Sequence, residues 1–332
     1  MRYIQFLLLI VLFQSCSSQE IKINGVSFVA DRDSISQKNI VPLKNINANY
    51  ASVMPFASIK DLAHPEVQYN EEGQWFGETK KGVKQYVSVL KNNKIKSMLK
   101  PQIWVWKGEF TGYIEMKSEA DWLTLETSYS KFILDFAQVA EESKIEIFCI
   151  GTELEKFVAH RPEYWSNLIT KIRAIYKGKL TYAANWNEYD KTPFWNQLDF
   201  IGIDAYFPVS DSKTPTVDEC LKGWEKHKQG IESFSKKYSK SIIFTEFGYR
   251  SVDFSGKAPW TVDTIENKVN LTAQINTTKA LFKTFWSQEW FAGGFIWKWF
   301  IDHDKVGGVD NNRFTPQNKP VEKIIKEQYS IK

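Results

Sequence analysis

Two glutamates stand directly after short apolar runs, Glu153 in Ile150-Gly151-Thr152-Glu153-Leu154 and Glu246 in Thr245-Glu246-Phe247-Gly248-Tyr249. A carboxyl at the end of an apolar run is costly to bury unless it is paired or used. Two that converge on one cleft suit acid/base work combined with nucleophilic attack. Glycoside hydrolysis needs that combination: one carboxylic acid protonates the leaving oxygen while the other attacks the anomeric carbon. The competing reading is structural, a carboxylate paired with a base such as Arg250. Glu155, two residues beyond Glu153, is expected to point elsewhere.

Other apolar runs end in aromatic and polar residues. Trp104 and Trp106 follow one, Asn185 and Trp186 another, Tyr206 and Phe207 a third, Trp297 and Trp299 the last. Sugar rings present C–H faces that stack on indole and phenol rings, although an aromatic at a strand end is more often packing. The chain is 15% aromatic with 13 Trp, enough for either a large core or a cleft that grips flat apolar faces. Trp297 is the first candidate platform, because Gly293-Gly294 before it permits close approach of chain or ligand. Lys100, Asn185 and Asp204 suit sugar hydroxyls or bonding inside the fold equally well.

These residues need a scaffold that gathers strand ends. Runs rich in apolar and β-branched residues recur at 23–28, 51–56, 95–105, 145–151, 180–185, 200–206, 241–245 and 293–297. They are continuous rather than alternating, as parallel strands buried on both faces should be. Amphipathic stretches at 80–92, 119–143, 162–176, 217–238 and 268–288 lie between them. Pro162 suits a first helical turn, and Thr216 with Glu219 reads as a capping box. Eight β/α units in series predict an α/β protein with a single-domain (β/α)8 TIM barrel, whose active site lies at the C-terminal ends of the strands. No Gly-rich phosphate loop follows the first strand, and no GxGxxG, P-loop, HExxH or GxSxG occurs.

The segments around Glu153 and Glu246, together with Tyr182-Ala183-Ala184-Asn185-Trp186, Phe200-Ile201-Gly202-Ile203-Asp204-Ala205-Tyr206-Phe207-Pro208 and Phe295-Ile296-Trp297, resemble glycoside hydrolase family 113. That family belongs to a large clan of retaining (β/α)8 hydrolases. The resemblance runs over about residues 20–328 and implies an endo-β-1,4-mannanase or a close relative, without a cofactor. It implies Glu153 as acid/base and Glu246 as nucleophile. It implies that Tyr206 bonds the nucleophile and that Trp297 floors the subsite of the reacting sugar. Thr152 departs from the Asn that many clan members carry before the acid/base. The rival readings are a non-catalytic surface glycan-binding lipoprotein and a hydrolase of the same clan acting on xylan or β-glucan.

Residues 1–15 carry Arg2, an apolar run from Phe6 to Phe13 and then Ser15-Cys16-Ser17-Ser18. The run is too short for a bilayer, which takes about 20 residues. This pattern resembles a bacterial lipoprotein signal, 1–15, with Cys16 as the lipidated residue and 16–332 as the catalytic domain. The expectation is an exported monomer, held at the outer membrane or cell surface by its lipid alone. Cys149 and Cys220 are expected to be free thiols. The 43 basic and 39 acidic residues leave a net charge of +4 with no basic block, which argues against nucleic acid. The four His, at 64, 160, 227 and 303, lack zinc spacing, and no metal is expected.

Overall fold

The computed structural model describes residues 21–261 and 268–331, so the signal segment and Cys16 lie outside the described residues. Its strands are β1 (Ile23–Val29), β2 (Tyr50–Met54), β3 (Phe56–Ile59), β4 (Lys96–Leu99), β5 (Gln102–Val105), β6 (Ile147–Thr152), β7 (Lys179–Asn185), β8 (Ile201–Asp204), β9 (Ile242–Phe247) and β10 (Phe291–Trp299). Eight of them close a parallel barrel in the order β1-β10-β9-β8-β7-β6-β4-β2. The helices are α1 (Gln37–Asn45), α2 (Lys80–Asn92), α3 (Glu119–Glu142), α4 (Glu155–His160), α5 (Pro162–Ile175), α6 (Val217–Tyr238), α7 (Leu271–Phe285) and α8 (Pro320–Tyr329). The chain is therefore a (β/α)8 barrel.

Local chemistry explains several of the boundaries. Thr216 and Glu219 form the capping box that starts α6, and Pro162 occupies the first turn of α5. The apolar run at 95–105 divides in two. Lys100 and Pro101 separate β4 from β5, because proline has no N–H to continue a ladder. Pro55 interrupts the neighbouring run at the equivalent place, between β2 and β3. Beyond these prolines β3 and β5 pair again, as a two-stranded parallel sheet of their own.

The core has two parts. A small cluster of Ile23, Met98, Ile147, Cys149, Ala183, Ile243 and Phe295 draws on six barrel strands, an origin that places it in the barrel lumen. The large cluster fills the layer between barrel and helices. Six of the thirteen Trp are buried: Trp122, Trp165, Trp195, Trp224, Trp286 and Trp299. Much of the aromatic excess is thus core, with Trp165 edge-to-face on Phe157 and on Tyr182. The Gly293-Gly294 pair also serves packing. Gly293 has φ +121, and a Cβ there would stand 2.3 Å from the Ile23 carbonyl oxygen; one at Gly294 would stand 2.7 Å from that of Phe244. The close approach is made by neighbouring strands. Cys149 and Cys220 are free and buried. No helix among the described residues is long and apolar enough to cross a membrane.

Candidate active site

Glu246 lies near the end of β9, where the register with β8 slips. Ile203 pairs with Phe244, but Asp204 pairs with Glu246. Such a bulge re-aims side chains at a barrel rim. Here it brings Thr245 and Glu246, adjacent in sequence, to bear on one small region. Thr245 Oγ1 donates to Asp204 Oδ1 at 2.7 Å, and Tyr206 Oη donates to Glu246 Oε2 at 2.7 Å. Lys100, fully buried where β4 breaks, donates to Glu246 Oε1 at 2.5 Å and to both Asp204 oxygens at 3.2 Å. Gln102 Nε2 adds a longer contact of 3.4 Å to Glu246 Oε1. Glu246 thus accepts from a phenol, an ammonium and an amide.

One ammonium faces two carboxylates. Burial alone would lower the Lys100 pKa, but Asp204 and Glu246 outweigh it and hold the group protonated. Burial and the charge of Glu246 push Asp204 above the ordinary carboxylate range, against the bonds from Lys100 and Thr245. Lys100 therefore bridges Asp204 and Glu246, and Asp204 bonds within the barrel, to Lys100 and Thr245.

Glu153 follows β6 in a different setting. Its backbone is left-handed, with φ +51. That conformation costs a non-glycine residue roughly 1–2 kcal/mol. Three hydrogen bonds hold the turn: Glu153 N–H to the Ala183 carbonyl at 2.8 Å, Thr111 Oγ1 to the Glu153 carbonyl at 3.2 Å, and Leu154 N–H to Tyr182 Oη at 2.7 Å. Tyr182 Oη reaches on to Glu188 Oε1 at 3.4 Å. Glu188 is buried, and burial pushes its pKa up to about 8. Among the described residues the Glu153 carboxyl has no hydrogen-bond partner. Burial first, then the charges of Asp204 and Glu246, raise its pKa well above the usual range, and Lys100 offsets this only in part. The two carboxyls at one mouth thus differ in setting: Glu246 is rich in hydrogen-bond donors, and Glu153 is inclined to keep its proton.

The remaining sequence candidates divide. Trp297 is half-buried at the end of β10, with Lys298 Nζ 5.4 Å from its ring centroid. Asn185 Oδ1 accepts from the Trp186 N–H at 2.8 Å and so shapes its own turn. Trp186 stacks on Trp260 at 5.2 Å, forming an aromatic cluster beyond β7. Trp104 lies within β5 and Trp106 follows it, and each is more than half exposed. Glu155 turns away to Lys191, 3.1 Å distant. His303 bonds Glu322 at 2.9 Å, and no group of three or more His, Cys, Asp or Glu that could hold a metal occurs among the described residues.

Gln102, Tyr182, Thr245 and Glu188 escaped the sequence reading as site residues. The first three sit inside apolar runs, and the only signal was a polar atom where a buried strand should have none.

The model of glycoside hydrolase family 113 matches residues 27–319. Among solved structures, a complex described as a GH113 β-1,4-mannanase superposes with TM-score 0.81 at 22% identity, over 94% of this chain and 99% of that one. The GH113 β-mannanase of Alicyclobacillus acidocaldarius, solved with ManMIm, gives TM-score 0.81 at 21% identity, over 93% and 97%. A Ruminococcus gnavus β-glucuronidase gives 0.64 at 13%, over 93% of this chain and 50% of that one. At these identities the likeness is one of fold. A search of curated proteins found no match. The family match spans nearly the whole described chain and takes in both glutamates, so this chain belongs to glycoside hydrolase family 113.

Proposed function

We propose that this glycoside hydrolase cleaves β-1,4-linked mannan internally by double displacement, with Glu246 as nucleophile and Glu153 as acid/base. The observation that carries this reading is the contrast between the two carboxyls. Glu246 accepts from Tyr206, Lys100 and Gln102, which hold its two oxygens in place. Glu153 is pushed by burial and by neighbouring negative charge to remain a neutral acid.

In the first step a Glu246 oxygen attacks the anomeric carbon. The glycosidic bond breaks and Glu153 gives its proton to the leaving oxygen. A covalent glycosyl ester remains, and the charge of Glu246 is gone. With that charge removed, Glu153 is free to act as a base. It takes a proton from water, the resulting oxygen attacks the anomeric carbon, and the ester bond breaks back to the Glu246 carboxylate. The β configuration is kept.

Incubation with mannan, xylan and β-glucan, with product sizing and NMR of the first anomer released, tests the reading. Cleavage of mannan with the β-anomer appearing first is expected. First release of the α-anomer would mean inversion, and cleavage of xylan or glucan alone would move the substrate. No product from any of them would favour a binding protein without turnover.

Trp297 is assigned to the floor of the reacting sugar's subsite. Trp297→Ala is expected to lower kcat/KM by roughly 10- to 100-fold while Tm moves by only a few degrees, because the ring is half-buried. A large fall in Tm with little kinetic change would show that the ring is core.

Export rests on residues 1–15, and anchoring on Cys16. Several acyl chains hold a protein to a membrane firmly, whereas one holds it weakly. Cys16→Ser is expected to move the protein from the membrane fraction to the soluble fraction; persistence in the membrane fraction would end the lipoprotein reading.

A further inference from the structure

Beyond Pro55 and Pro101 the chain builds a wall that the barrel itself does not need. β3 and β5 pair Phe56 with Gln102, Ala57 with Ile103, Ser58 with Trp104 and Ile59 with Val105. Burial alternates along both strands. Ala57, Ile59, Ile103 and Val105 are buried, whereas Phe56, Ser58 and Gln102 are half-buried and Trp104 is 54% exposed. One face is packed and the other is open, as period-two strands require.

The open face begins at the catalytic centre. Gln102 Nε2 lies 3.4 Å from Glu246 Oε1. Trp104 is two residues further along the same face, about 6.6 Å at the usual strand rise. A cavity of about 540 Å³ lies against this face. Its far side is the segment 71–78, which brings Trp75, 41% exposed, and the carboxyls of Glu71, Glu72 and Glu78.

The cleft is already formed. Ser58 and Gln68 exchange backbone hydrogen bonds at 2.8 and 2.9 Å, and Gln74 Nε2 donates to the Phe56 carbonyl at 2.5 Å. The Arg32 guanidinium lies 5.4 Å from the centroid of Trp75. A volume of this size falls in the range of small-molecule sites, about 300–1,000 Å³.

We propose that the cleft between Trp104 and Trp75 binds the glycone arm of an uncharged polysaccharide, beyond the sugar that reacts. The proposal rests on the reading of Glu246 as nucleophile. The sugar that becomes bonded to Glu246 is the terminal unit of the glycone, and the wall leads away from Glu246. Two exposed indoles offer platforms for pyranose C–H faces. Three carboxyls offer acceptors for hydroxyls and repel uronic acids and sulfated sugars. The ligand class is therefore a neutral, hydroxyl-rich chain.

The test compares wild-type enzyme with Trp104→Ala, Trp75→Ala, the double variant and Trp104→Phe. Substrates are oligosaccharides of three to six units labelled at the reducing end, so that each product reports where the chain was cut. The ladder is taken from whichever polysaccharide the wild-type enzyme cleaves. A failure of the mannan reading then changes the ladder but not the test. In the wild type, kcat/KM should rise with each added glycone unit. Trp104→Ala should cut that rise about tenfold and shift cleavage toward shorter glycone products. The double variant should abolish the rise, and Trp104→Phe should keep most of it. Tm is measured for every variant, and Trp75→Ala, on the opposite wall, gives a second reading if Trp104→Ala folds poorly. An unaltered dependence on glycone length, or a loss that follows aglycone length instead, would overturn the proposal.

Discussion

Glu246→Ala is expected to abolish hydrolysis, with kcat falling by roughly 10⁴-fold or more, as when a catalytic group that works within a unit is removed. Azide should restore part of the activity on an activated aryl glycoside, entering the space left by the carboxylate from the α face. The product should be the α-glycosyl azide. The variant should still fold. Lys100 keeps Asp204 as a partner, and the repulsion that Glu246 exerts on Asp204 is relieved. Tyr206 loses its acceptor, at a cost of about 1–3 kcal/mol if the phenol stays dry. Kinetics with and without azide, NMR of the azide product and thermal unfolding together check the assignment. A β-glycosyl azide, or hydrolysis within tenfold of the wild type, would remove Glu246 from the role of nucleophile.

Glu153→Ala should separate substrates by their leaving groups. Polysaccharide hydrolysis needs the proton and should slow by about 10²- to 10⁴-fold, the usual contribution of a positioned general acid. The first step on a dinitrophenyl glycoside needs no proton and should be spared, and azide should then yield the β-glycosyl azide. The pH profile gives a second readout. With Glu153 as the proposed general acid, its protonated form would be the active one, and activity should fall as pH rises through its pKa. Burial, Asp204 and Glu246 raise that pKa, which places the alkaline limb above the ordinary carboxylate range. The variant should lose this limb on the activated substrate, and a limb that persists there would belong to another group. The same shift acts on stability with a definite sign. The folded state disfavours the ionised form, so its contribution is fully present at low pH and is lost as pH rises from the unfolded value toward the folded one.

The barrel was legible because each strand is buried on both faces and reads as an unbroken apolar run. β6, β7 and β9 start or stop within two residues of the runs at 145–151, 180–185 and 241–245. The run at 95–105 misled because apolar residues continue across Lys100-Pro101, although the ladder cannot. The three helices without a sequence signal have local causes. α1 carries Pro42 in its interior, α4 is six residues long, and α8 is ten. At the site, a strand-end Glu was visible from its position alone. Of its donors only Tyr206 was legible, through the family resemblance; Lys100 and Gln102 were not, because they reach Glu246 from the break between β4 and β5 and from β5, across the barrel mouth, where no spacing rule applies. The Gly293-Gly294 pair offers room for chain or ligand by its sequence, and the atoms that approach are strand carbonyls.

The left-handed backbone at Glu153 sets a limit on how far this protein can be optimised. Glycine is the residue such a turn prefers, and every other choice accepts the strain. Selection for stability alone would therefore drift toward glycine at 153, and under the proposed acid/base role of Glu153 that drift would silence the enzyme. The polar contacts around the turn, from Thr111, Ala183 and the Tyr182 hydroxyl, then look less like decoration of a core than like a clamp on a conformation that the chain would not keep unaided. Thermostabilising campaigns on this scaffold should treat those four positions as a block, since a consensus substitution that loosens any one of them trades turnover for melting temperature.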